Sequence, residues 1–113
     1  MNITIYDVFE LNRILHSLLS QQSSYKIQTA FKLHSLIKWL DETEGFIIER
    51  MKMMFDEKSM NTDNPLYMAF LSSQLPFTQT DLTVDDLLTT ECNVKLEVKD
   101  VEALNKMLSK AES

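Results

Sequence analysis

The stretch LDETEGFIIERM, residues 40–51, decides the fold because it places Gly45, the single glycine of the chain, inside a long helical pattern. Apolar side chains recur every three or four positions on both sides of Gly45, as in a helix that buries one face. A break would normally reset this spacing, whereas a packed helix offsets the roughly 1 kcal/mol that an internal glycine costs. We therefore predict one continuous helix from near Tyr25 to Phe55. Its buried seam, with one polar member, is predicted to be Ala30, Leu33, Ile37, Leu40, Glu44, Ile47, Met51 and Met54.

The same stretch carries a competing signal for a helix break at residues 41–44. Their sequence, DETE, has the spacing of a capping box, in which the first side chain caps a new helix. Lys26, Lys32 and Lys38 precede the segment, and the segment itself carries three acids. Cations at the end of one helix and acids at the start of another suit the two helix dipoles. This alternative gives two short helices, but the uninterrupted seam favours one long helix.

The N-terminal residues predict a short strand followed by a helix. NITIY, residues 2–6, alternates as a strand does. Asp7 and Glu10 have the capping-box spacing, so a helix of about 14 residues is predicted to begin at Asp7. We expect this helix to pack antiparallel on the long helix.

The C-terminal half predicts two further short helices and a second strand. Asn64 as cap and Pro65 at the first helical position begin a helix that Pro76 ends. NVKLEV, residues 93–98, alternates as a half-buried strand, and Asp100 is predicted to cap the last helix.

These elements give a mainly α fold with a minor β component, in a single domain of residues 1–113. We expect the two strands to pair into a small sheet at one end of the helices. Because an isolated two-stranded ribbon is marginal in water, FTQT, residues 77–80, or a partner chain is expected to add a strand.

Composition excludes several function classes. The chain has 113 residues, of which 44% are hydrophobic and 25% charged, a balance typical of a soluble globular domain. Its net charge of −6 argues against a nucleic-acid binder, because no dense basic face is available. The N-terminus resembles neither a signal peptide nor a membrane anchor. Cys92 is the single cysteine and cannot form an internal disulfide, so we expect a reducing, intracellular location.

No stretch of the sequence carries a recognisable catalytic or cofactor motif. His16 and His34 are the only histidines and could face each other across the first two helices, but neither belongs to an HxxxH pair and no cysteine lies near them. One glycine does not suffice for a phosphate-binding loop, and no serine lies in a GxSxG context. We therefore predict a protein that is not an enzyme and that binds no metal, cofactor or small-molecule substrate.

A second row of apolar side chains lies on the long helix, away from the seam. Trp39, Phe46 and Met53 repeat every seven positions, and we call them the aromatic stripe. Two alternatives are open: the third or the last helix covers the stripe, or the stripe binds another protein. We predict that it binds protein. Gly45 points away from the seam and could let another backbone approach, so it is included in this predicted contact.

The order of these motifs resembles a loose family of small uncharacterised tailed-phage proteins. The resemblance covers about residues 10–100, through LHSLL, the long SSYKIQTAFKLHSLIKWLDETEGFIIERMKMMFDEK segment, LYMAFLSSQLPF and NVKLEV. It implies a phage origin, with no established activity and no catalytic residues. The residues that match the family layout are Tyr25, Lys26, Glu44, Phe46, Glu49 and Arg50.

Sequence and resemblance together predict a non-enzymatic phage protein that acts by protein–protein contact, as a virion structural or assembly component. Its expected partner is a second copy of the chain or another phage protein. Its expected location is the host cytoplasm when it is made, and then the virion. The alternative is a small acidic inhibitor of a host protein, such as one that binds nucleic acid.

Overall fold

The residues that the structure describes form four α-helices and a two-stranded antiparallel sheet, which confirms the prediction of a mainly α fold with minor β. A computed structural model describes residues 2–21, 25–77, 82, 87 and 96–112. A single 3₁₀ turn, Glu57–Ser59, follows the second helix. In chain order the other elements are β1 (Asn2–Thr4), α1 (Ile5–Ser20), α2 (Ile27–Met54), α3 (Pro65–Leu71), β2 (Gln74–Pro76) and α4 (Val98–Glu112).

Helix α2 runs without interruption through Gly45, so the prediction of one continuous helix is confirmed and the predicted alternative of a break is wrong. At 1.5 Å per residue the helix is about 42 Å long, close to the 44 Å longest dimension of the molecule. The DETE acids that suggested a break bond to α1 instead of capping a new helix: the side chains of Asp41 and Glu44 both accept from Asn12. The buried residues of α2 are Leu33, Leu36, Ile37, Leu40, Ile47 and Met51. Of the predicted seam, Ala30 and Glu44 are half-buried, and Met54 is exposed, so its predicted burial is wrong.

Gly45 lies on the exposed side of α2, where a side chain has room. A Cβ built on it would meet no atom of the described residues within 4 Å. Alanine removes the entropic cost of glycine in a helix, so Gly45→Ala is expected to raise the free energy of unfolding by up to about 1 kcal/mol. Urea denaturation of both proteins measures the change. A clear loss of stability would mean that a neighbouring backbone lies against Gly45 in solution.

The start of α1 differs from the prediction. Thr4, not Asp7, caps the helix: its hydroxyl oxygen accepts from the Asp7 backbone N–H at 3.0 Å. The helix therefore begins at Ile5, and the predicted strand of residues 2–6 shortens to β1. Thr4 and Asp7 have the same spacing as Asp7 and Glu10, and an acid in the first turn suits the helix dipole. Of two caps with equal spacing, the earlier one is used.

The described sheet pairs β1 with β2, which was not predicted; of the predicted partner strand 93–98, residues 93–95 lie outside the described part of the chain and residues 96–98 form no strand. Ile3 lies opposite Leu75, in an antiparallel register that runs from Asn2 opposite Pro76 to Thr4 opposite Gln74. The Ile5 N–H extends the pairing by donating to the Ser73 carbonyl at 3.0 Å. Residues 74–76 were predicted to end the third helix and instead form β2. The predicted start of that helix at Pro65, with Asn64 as its cap, is confirmed.

Residues 96–98 do not form the end of the predicted strand, and an earlier start of α4 replaces the predicted Asp100 cap. Residues 93–95 lie outside the described part of the chain, Leu96 and Glu97 are irregular, and Val98 begins the helix. Asp100 thus lies in the first turn, where its carboxylate accepts from Arg13 of α1 at 2.9 Å. Of the predicted FTQT strand, Phe77 is buried outside any strand and residues 78–80 are not described.

Helix α1 is the centre of the core and contacts α2, α3, α4 and β1. Its packing on α2 is antiparallel, because Asn12 reaches Glu44 whereas His16, one turn later, reaches Asp41. The C-terminal end of α2 is covered separately, by edge-to-face packing of Phe55 on two rings of α3. The residues of α1 and α4 that are buried in the core are Ile5, Val8, Leu11, Ile14, Leu15, Leu18, Leu104, Met107 and Leu108.

Candidate protein-contact surface

The aromatic stripe is divided by the tertiary structure. Trp39 is half-buried, and its ring centroid lies 5.6 Å from that of Phe77, a fully buried residue that directly follows β2. Phe46 and Met53 are 61% and 76% exposed. Phe77 therefore covers the first member of the stripe, and the other two remain exposed; we call Phe46 and Met53 the exposed pair.

The exposed pair is bordered by charged residues of opposite sign. At about 100° per residue, Glu42 and Glu49 lie about 40–60° to one side of Phe46, and Arg50 lies about 40° to the other. All three are exposed. Neither Glu49 nor Arg50 forms an ion pair with the part of the chain that the structure describes. This surface thus has an apolar centre, one acidic edge and one edge with a cation.

Gly45 lies outside the apolar centre of this surface. One position from Phe46 on the helix, it projects about 100° away from it. It is exposed, and none of the residues that the structure describes comes within 4 Å of its Cβ position. The structure therefore does not unite Gly45 with the exposed pair, although both lie on the solvent side of α2.

Two exposed apolar residues near the start of α2 were not predicted. Ile27 is 77% exposed and Phe31 is 72% exposed. They are four positions apart and therefore share one side of the helix. Their spacing, off the Leu33 seam, is the signal that could have identified them.

A polar cluster of Asn12, His16, Asp41 and Glu44 joins α1 to α2. The Asn12 amide, which is 4% exposed, donates to Asp41 at 3.1 Å and to Glu44 at 2.5 Å. His16 Nε2 lies 2.9 Å from Asp41 Oδ1. These hydrogen bonds, to His16 first and to Asn12 second, hold the pKa of Asp41 below its ordinary value. The cluster fixes the register of the two helices by polar contacts.

Asp41→Asn tests this cluster through its pH dependence. A depressed pKa means that the carboxylate stabilises the fold above its unfolded pKa, and that this stability is lost as the pH falls through the folded value. The variant is therefore expected to be less stable than wild type at neutral pH. The loss should be below about 1 kcal/mol, since His16 and Asp41 are both half exposed. Urea denaturation at neutral and strongly acidic pH should show the difference vanish in acid; a constant difference would contradict the assignment.

The two histidines are not brought together. No hydrogen bond or ion pair in the described part joins exposed His34 to His16, and Cys92 lies outside that part. Among the residues described, no group of three or more His, Cys, Asp and Glu side chains could hold a metal ion. We predict that stoichiometric zinc, added or chelated, leaves the melting temperature unchanged. A reproducible rise with zinc, lost in His16→Gln, would contradict this.

A groove of about 410 Å³ lies between α1 and α4. Its central contact is Arg13, which donates to Glu10 and to Asp100, each at 2.9 Å. The lining contains as many acidic as basic side chains, so the groove has no preference for an anion or a cation. These lining residues are Asp7, Glu10 and Asp100 against Arg13, Lys99 and Lys106.

Comparison with known proteins gives no relative: no family model, curated protein or solved structure matches this chain. In the described ranges, none of the helices has the length and apolar character needed to cross a membrane.

Proposed function

We propose that this chain is a non-enzymatic protein that acts by protein–protein contact through the exposed pair on α2. The observation that supports it most directly is that Phe46 and Met53, 61% and 76% exposed, lie two turns apart on one side of a regular helix. Scattered single apolar residues are ordinary on protein surfaces, but neighbouring large ones usually mark a contact. Phenylalanine and methionine are also enriched at interfaces.

The position of the exposed pair suits a binding surface. Helix α2 is anchored by its buried face to α1 and, at its C-terminal end, to α3 through Phe55. Its outer side is therefore presented on a fixed support, and little ordering is needed when a partner binds. Such a rigid apolar centre with charged edges has the usual anatomy of an interface.

We further propose that the contact is used in a phage particle or in its assembly. This step is supported by the resemblance of residues 10–100 to small tailed-phage proteins, whose layout includes Phe46, Glu49 and Arg50. Glu49 and Arg50 border the exposed pair, and Phe46 belongs to it.

Mass spectrometry of purified particles of the encoding phage tests the proposal, with wild-type, Phe46→Glu and Phe31→Glu genes compared. Phe31→Glu is the matched control, because it makes the same chemical change at an exposed site of the same helix. We expect the protein in wild-type and control particles and a strong reduction with Phe46→Glu. Absence from wild-type particles would contradict the virion role and favour the small acidic inhibitor, for which the net charge of −6 is suited to a basic host surface.

A further inference from the structure

We infer that the exposed pair binds a second copy of this chain, with the two α2 helices side by side and parallel. The inference rests on the proposed function and names the partner of the same surface. In this arrangement Phe46 of each copy meets Phe46 of the other across a two-fold axis along the helices, and Met53 does the same two turns later.

The charges that border the exposed pair select the parallel orientation. In a parallel pair, the acidic edge of one helix meets the opposite edge of the other at the same level. Glu49 and Arg50 differ in height by about 1.5 Å and lie on opposite edges, so Glu49 of each copy faces Arg50 of the other. Two equivalent ion pairs then flank the Phe46 contact.

An antiparallel pair would place like charges together. Reversing one helix brings the acidic edge of one copy against the acidic edge of the other. Residues before Phe46 in one copy then lie level with residues after Phe46 in the other. Glu42, four residues before Phe46, would then face Glu49, three residues after it, on both sides of the contact. Like charges at close range disfavour the antiparallel orientation. The surface is therefore self-complementary only when the two helices are parallel.

The neighbouring structure limits the extent of the contact. Trp39 is already covered by Phe77, so the pairing is confined to α2 from about Glu42 to its C-terminal end. Stable dimers typically bury about 800 Å² per partner, and one short helical contact supplies less. The dimer is accordingly weak and concentration-dependent.

Charge exchange tests both the partner and the orientation. Sedimentation velocity up to millimolar concentration is measured for wild type, Arg50→Glu, Glu49→Arg and an equimolar mixture of the two variants. Each variant alone places like charges opposite each other and should associate about tenfold more weakly than wild type. The mixture should restore association, because the acids of one variant then face the cations of the other.

Lys52→Glu is the matched control for Arg50→Glu. It makes the same change of charge at an exposed position about 120° from Phe46 on the helix, and it should leave association within about twofold of wild type. Far-UV circular dichroism should be unchanged in all variants, since all three side chains are exposed.

Three outcomes would overturn the inference. A wild-type chain that stays monomeric at millimolar concentration would exclude the second copy. Tighter association of Glu49→Arg would indicate the antiparallel pair, in which the new cation faces Glu42. Failure of the mixture to associate would exclude the Glu49–Arg50 contact. The proposed function would survive each of them, because the particle experiment with Phe46→Glu is independent of self-association.

Discussion

Replacing Phe77 by alanine is expected to lower the free energy of unfolding by about 3–5 kcal/mol, the range typical of a buried phenylalanine. Phe77 is fully buried and its ring packs on Trp39. Small domains have about 5–15 kcal/mol of stability in total. The substitution should therefore remove a large share of the total stability, more than any other change considered.

The fluorescence of Trp39, the single tryptophan, also reports the loss of the Phe77 ring. With Phe77 removed, Trp39 loses its aromatic neighbour, and its fluorescence emission should shift to longer wavelength in the folded state. Urea denaturation gives the stability change. Phe46→Ala is the control: it truncates a phenylalanine that is 61% exposed, so stability should change by no more than about 0.5 kcal/mol. Equal, small effects of both substitutions would show that Phe77 is not packed in solution.

Phe46→Glu is expected to dissociate the protein while the helical content stays largely intact. Phe46 lies at the centre of the inferred contact, where the substitution would place two carboxylates face to face. Central interface residues contribute about 2 kcal/mol or more, which corresponds to an association about 30-fold weaker. Static light scattering measures the mass, and circular dichroism measures the helicity.

Phe31→Glu controls for the added charge on an exposed α2 residue and should behave as wild type. A loss of helicity in Phe46→Glu would place Phe46 in the core of the protomer. Identical monomeric masses of the wild-type and variant proteins would eliminate self-association.

Local signals in the sequence were sufficient for the long helix and for the start of α3, but not for its end at Leu71. Their evidence lies within a few residues: the three-and-four spacing of α2, and the Asn64–Pro65 start of α3, whose side-chain cap bonds to the Leu66 N–H at 3.0 Å. The continuity of α2 through Gly45 followed from the same periodicity. Helical hydrogen bonds join residues four apart, so the sequence nearby contains most of the information.

Strand pairing and the choice among equal caps could not be predicted in this way. The sequence indicated residues 93–98 as the partner of the N-terminal strand and assigned residues 74–76 to the end of the third helix. The ladder formed with 74–76, where Ile5 also bonds to Ser73. Pairing brings together residues about 70 positions apart. No local sequence pattern indicates which distant segment will pair with a given strand.

The sequence by itself determined the helical periodicity, the caps available to each helix and the apolar character of the aromatic stripe. Only the tertiary structure decided which part of the stripe is open. Trp39 and Phe46 lie within about 20° of each other on the helix and are both large aromatic residues. Phe77 packs on Trp39, whereas no aromatic ring of the described residues packs on Phe46, which is 61% exposed. The burial of Trp39 depends on Phe77, 38 positions further along the chain. The β1–β2 pairing sets the position of Phe77, and no property of the helix that Phe77 covers does so.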